Sequence, residues 1–270
     1  QGCIAVGPST LQNSIANYNT GLGYQAGLNT TTGADNTYIG ASAAVNNVTG
    51  TGNVVIGRYA GTGVATKSYN DNVFIGFKSG YVHETGTACT FVGTLSGTAN
   101  NTGTVNTFIG LGCGLDNTTG GYNTFVGVNT GKINTTASYN TALGVYALHY
   151  NATGANNVAI GYQAGYGVGA NSYTQNVFVG TQSGYSITTG DDNTLIGFQS
   201  GFYNTEGYNN TCLGYEAGVY NQTGYGNVNV GHEAGWGVSL DSTSKCVNIG
   251  AGSGHVNQSD EMVHIGYYAG

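Results

Sequence analysis

Sixteen times along the chain, a residue that is polar in all but the last phrase is followed by a β-branched residue, a variable residue, an aliphatic residue and then glycine. The closing glycines run from Gly7, Gly23 and Gly40 to Gly250 and Gly266; ten of the fifteen intervals are 17 residues, three are 19 and the two terminal ones are 16. A short fixed period means one structural unit stacked on copies of itself. The residue before each anchor glycine is always aliphatic, as in Ile75, Val92 and Ile109. Two residues earlier stands only Val, Ile or Thr, as in Val73, Thr90 and Thr107. Alternate residues of a strand share a side, and β-branched residues favour strands. Each phrase is therefore predicted to be a short strand, and the stack a parallel sheet with continuous aliphatic ladders.

The residue between those two slots points to the opposite side. There Tyr38, Val55, Phe74, Phe91, Phe108 and Phe125 follow one another, while Asn229, Asn248 and His264 end the series. A row of phenylalanines open to water is rare on soluble monomers. A coil of 17 residues encloses only one thin core, so both sides of the strand are expected to be buried, as in covered parallel sheets. On this reading the phenylalanine row packs against other copies of the chain, and replacing Phe108 by Asp disrupts assembly.

The other slots are predicted to be turns. Three residues after each anchor the side chain is small, and glycine follows in thirteen of sixteen coils, which suits a tight corner. A Thr-Gly pair such as Thr102-Gly103 marks a second turn. Asn19, Asn36, Asn53 and their equivalents open the strands and are placed to form an amide ladder. The three 19-residue coils share AGTGV at 60–64, AGYGV at 164–168 and AGWGV at 234–238, predicted as three protrusions.

Composition narrows the partners. Only 6% of residues are charged and the net charge is −7, with Arg58, Lys67, Lys78, Lys132 and Lys245 scattered. Nucleic acid is excluded as a partner because phosphate binding needs clustered cations. No apolar run reaches the roughly 20 residues of a membrane span, so no membrane insertion is expected. Cys3, Cys89 and Cys246 occupy the slot that Asn fills in twelve other coils, and Cys113 and Cys212 fall in two further slots. Five free, mostly buried thiols are expected, without a disulfide framework.

Candidate chemistry is thin. His83-Glu84 pairs an imidazole with a carboxylate and reads as a solvated loop; Asp191-Asp192 is a lone acidic pair. The histidines at 83, 149, 232, 255 and 264 lack metal-ligand spacing, and the glycine-rich 161–169 leads into no helix as a phosphate loop would. No catalytic, cofactor-binding or metal-ligating residue is assigned, and no enzyme is predicted. Seven Asn-X-Ser/Thr triplets, at Asn47, Asn100, Asn117, Asn134, Asn151, Asn221 and Asn257, share one slot and read as turn chemistry. Tyr24, Tyr81, Tyr162, Tyr166, Tyr185 and Tyr215 suit either sugar stacking or interface packing.

The stretch Asn156-Asn157-Val158-Ala159-Ile160-Gly161 resembles the head repeats of trimeric autotransporter adhesins, which are left-handed parallel β-rolls with a Val-Ala-Ile-Gly phrase. Asn106-Thr107-Phe108-Ile109-Gly110 and Asn123-Thr124-Phe125-Val126-Gly127 are more similar still to repeats of phage tail-fibre and related surface-fibre proteins. The likeness covers all sixteen coils, although 17 residues exceeds the adhesin-head repeat. It implies a homotrimeric, rod-like extracellular fibre and transfers no functional residues.

The sequence therefore predicts an all-β chain, residues 1–270 forming a single continuous parallel β-solenoid of about sixteen coils, roughly 75 Å long at the inter-strand spacing. Copies would lie side by side as a homotrimer, as the structural shaft of a fibre on a cell or virion surface. A module that binds a cell-surface glycan or ice is the alternative; for ice, the Thr slots alternate with Val and are expected to be buried. A polysaccharide-cleaving β-helix ranks last, for want of a convergent acid and base. Uncapped ends predict a segment of a longer fibre, or a subunit whose ends stack on the next copy.

Overall fold

A computed structural model describes residues 2–169, 171–237, 242–256 and 259–270. The chain is all-β, with sixteen three-residue strands and no helix among the described residues. It divides into two compact units, Gln1–Ala137 and Ser138–Gly270. The first carries eight strands, from β1 (Ile4–Val6) to β8 (Thr124–Val126). The second carries eight more, from β9 (Thr141–Leu143) to β16 (Val263–Ile265). Within each unit every strand pairs in parallel with its neighbours in sequence, without a slip in register: Phe74 lies opposite Phe91, Phe91 opposite Phe108, and Thr141 opposite Val158. Each unit is thus a parallel β-solenoid wound from the predicted coils.

Hydrogen bonding runs around the whole coil, beyond the strands themselves. In the coil after Gly93, Leu95 N–H donates to Phe77 O (2.9 Å), Gly97 N–H to Cys113 O (2.9 Å), Ala99 N–H to Leu115 O (3.0 Å) and Asn101 N–H to Thr118 O (2.9 Å). Backbone groups that turns would otherwise leave to water are paired with the next coil, which lets 17-residue turns stack so closely. The anchor glycines make that approach possible. Gly110 has φ +136°, and a Cβ there would lie 2.0 Å from Gly127 O in the next coil.

The interior corrects the reading of the strand's two sides. In the fourteen strands between the first and the last, the middle residue points inward: Tyr38, Phe74, Phe91 and Phe108 are fully buried within the single chain. Phe74, Phe91, Phe108 and Phe125 stack with ring centroids 4.9–5.1 Å apart and planes within 17° of parallel. The aliphatic and Thr slots beside them face out. Strict alternation puts neighbours on opposite sides, but it is symmetric as to which side is inside. The small residue and glycine after the anchor decide this, because they clear the space for the rings. A Cβ at Gly97 would stand 2.6 Å from the Phe91 ring, and one at Gly114 2.5 Å from that of Phe108. In the coils of Ala5 and Ala142 a leucine replaces that glycine. Leu11 is buried against Gly21, and Leu148 is buried in the coil of Ala142.

Two residues before the middle position of most strands, inward-facing asparagines close the coil. Asn36 Nδ2 donates to Asn19 Oδ1 (3.1 Å) and to Gly50 O (2.9 Å), while Asn53 N–H and Nδ2 both donate to Asn36 Oδ1 (3.0 Å each). The ladder continues in the second unit through Asn157, Asn176, Asn193, Asn210 and Asn227. Cys89 substitutes in it, its amide donating to Asn72 Oδ1 (2.8 Å) and its Sγ to Gly103 O (3.3 Å). A second buried ladder includes Asn100, Asn117 and Asn134.

In the longer coils the two additional residues serve the core as well as the surface. Ala65, Thr66 and Lys67 are exposed, but Tyr69 turns inward, and its hydroxyl donates to Gly61 O. Tyr173 does the same to Gly165 O. The third such coil has Thr243 at the equivalent position, and its AGWGV segment ends at Val238, outside the described residues.

Candidate functional surface: the outward strand face

The outward strand slots form two columns on each unit, one of Thr or Val and one of aliphatic residues. None of these positions carries a charge. Leu22 is 47% exposed, Leu143 50% and Leu213 47%. The middle coils of the first unit are half-buried because each side chain covers its ladder neighbours. The Thr slots are half-exposed or exposed throughout, contrary to the burial expected of them. Parallel strands repeat at roughly 4.8 Å, so the face is a regular, uncharged array.

Surface aromatics also form columns. Tyr208 and Tyr225 stack at 5.0 Å and 2°, Tyr203 and Tyr220 at 5.1 Å and 10°, and Tyr215 and His232 at 5.0 Å and 7°. Their ring faces are turned on one another, leaving edges to solvent.

The candidate chemistry is dispersed. His83 does not lie in a solvated loop but is fully buried, its Nδ1 2.8 Å from Asn100 O and its Nε2 2.8 Å from Gly86 O. It occupies the slot held by Asn100 and Asn117 in later coils and packs among Tyr69, Phe74 and Phe91. Burial pushes its pKa below the ordinary value, with the two carbonyls pulling the other way. Glu84 is only partly buried beside it. Asp191 Oδ1 accepts the Thr174 amide (2.5 Å) and Asp192 N–H donates to Thr174 O (3.2 Å), so this acidic pair fastens one coil to the next. His149 is buried beneath stacked Tyr166, and His264 Nδ1 lies 3.0 Å from Asn248 Oδ1.

His232 and His255 were not linked by their spacing, yet both approach Glu233, at 3.7 and 3.6 Å. Trp236 Nε1 donates to the neighbouring Glu216 (3.1 Å). Among the described residues, no three His, Cys, Asp or Glu side chains come together as a metal site. No described helix is long and apolar enough to cross a membrane.

Cys89, Cys113, Cys212 and Cys246 are buried and Cys3 is exposed, none of them in a disulfide. Burial pushes the thiols of Cys89 and Cys212 up to about 11 and that of Cys113 to about 12, so they stay protonated and inert at neutral pH. Comparison with protein-family models, with curated proteins and with solved structures found no match.

Proposed function

We propose that this chain is a structural module of an extracellular fibre, on a cell or virion surface, whose copies associate side by side through the outward strand face. The observation that carries this reading is the uncharged Thr/Val and aliphatic double column, which no other described residue of either unit covers. Soluble proteins rarely leave such a continuous apolar array to water. A surface that repeats with every coil is best matched by one with the same repeat, and a second copy of the chain supplies it. Three chains about one axis is the arrangement that the resemblance to adhesin heads implies. The phenylalanine column plays no part in it, because it already forms the core of the chain. Nothing in this reading requires catalysis.

The test is the solution mass of the chain and of Ile109→Asp. The wild type should sediment at three times its 27.5 kDa chain mass. Ile109 is 39% exposed, so a carboxylate there is tolerated by the isolated chain but buried without a partner in the assembly. The variant should therefore be monomeric with an unchanged β-type circular dichroism spectrum. A monomeric wild type would refute the assembly and leave the face open, the situation in which surface or ice binding becomes the better reading. The glycan alternative gains little from the tyrosine columns, whose stacked rings offer edges where a sugar needs a face.

A further inference from the structure

The sequence holds nine Asn-X-Ser/Thr triplets: Asn29-Thr30-Thr31 and Asn209-Asn210-Thr211 join the seven that share one slot. Among the described residues the acceptor asparagines are Asn29, Asn209 and six of the shared slot: Asn47, Asn100, Asn117, Asn134, Asn151 and Asn221; Asn257 lies outside the described residues.

The six described asparagines of the shared slot are at most 6% exposed. Their amide nitrogens hold the coil together: Asn100 Nδ2 donates to Gly103 O (2.9 Å), Asn117 to Gly120 O (3.0 Å), Asn134 to Ala137 O (3.2 Å), Asn151 to Gly154 O (2.7 Å) and Asn221 to Gly224 O (3.3 Å). Asn47 Nδ2 donates instead to the buried Tyr38 hydroxyl (3.0 Å). N-glycosylation modifies this same nitrogen, replacing an N–H by a bond to a bulky, hydrated sugar. The packed interior of the coil has no room for one. The third residues of these triplets, Thr49, Thr102, Thr119, Thr136, Thr153 and Thr223, are all exposed.

Glycosyl transfer meets the chain before its coils close, when every triplet is accessible. We infer that this protein reaches its fold in a compartment that lacks N-glycosyl transfer to Asn-X-Ser/Thr. The inference concerns how the chain is made, and it holds whether or not the chain assembles into fibres.

The exposed third residues supply a clean test. The chain is produced in one eukaryotic cell line with and without a secretory leader, alongside a variant in which the six threonines are replaced by Ala. Site occupancy is read by mass spectrometry, and folding by protease resistance and circular dichroism. The leader-bearing wild type should carry sugar on one or more of the six buried asparagines, and those forms should lose protease resistance. The leader-bearing Thr→Ala variant, which keeps every buried asparagine, should fold like the leaderless chain. Native folding of the secreted wild type, with the six sites occupied or empty, would overturn the inference. So would a Thr→Ala variant that fails as badly as the wild type when secreted.

Discussion

Phe108→Ala separates the inside of the strand from its outside. The Phe108 ring is fully buried and stacked between Phe91 at 4.9 Å and Phe125 at 5.1 Å. Its neighbour across the coil is Gly114, which has no side chain to fill the space. The cavity therefore persists, and the cost should lie near the 3–5 kcal/mol of a buried Phe→Ala change. Ile109→Ala, one residue along but 39% exposed, should cost about 1–2 kcal/mol in the isolated chain. Urea titration followed by circular dichroism compares the two, with amide exchange locating the loss, since stacked coils need not unfold in one step. Phe108→Ala with Gly114→Leu copies the coil that pairs Ala142 with Leu148, and should recover part of the loss; Leu148 itself has φ 48°, so leucine is tolerated in that backbone. A Phe108→Ala chain with an unchanged unfolding midpoint and a reduced assembled mass would refute the argument, because it would return the ring column to an interface.

Gly110→Ala, at φ +136° and 2.0 Å from Gly127 O, should cost more than the roughly 1–3 kcal/mol of the backbone conformation alone, measured as a fall in unfolding midpoint. Val105 holds a β-branched side chain at φ 56°, where Gly52 and Gly226 stand in other coils, so Val105→Gly should raise stability by about 1 kcal/mol. His83 is buried with its pKa lowered, so the unfolded chain binds the proton first. Stability should be complete above the ordinary value near 6.5 and fall as the pH drops through it; His83→Asn, the residue of neighbouring coils, should flatten that part of the profile. Alkylation at neutral pH should label Cys3 alone in the native chain and all five cysteines after denaturation, and rapid native labelling of Cys113 would contradict its burial.

Much of the fold was legible because the repeat over-determines it. All sixteen strands fall on the predicted phrases. The asparagine ladder, the small-residue corners and the buried thiols follow from slots that admit few residue types. What resisted reading was context within a slot. His83 looks like a surface residue beside Glu84, and only its alignment with Asn100 marks the position as interior. Tyr69 and Tyr173 lie in the long loops, where a two-residue insertion suggests a protrusion, yet the additional length lets the chain fold a ring inward. His232 adjoins Glu233 in sequence, but His255 reaches the same carboxylate from the next coil, at an interval no short motif displays.

The sequence by itself determined the period, the parallel pairing and the register, since any slip would break columns of like residues that run through the sixteen phrases. Tertiary structure alone decided which side of the strand is inside. Alternation of side chains is the same read from either face, and both faces here are apolar, so hydrophobicity could not choose between them. Volume did: the ring column fits only where the corner offers a small residue and a glycine, and that corner lies on the inner side of the coil. The consequence is functional, for it moves the surface proposed to meet other copies from the phenylalanines to the Thr/Val and aliphatic columns beside them.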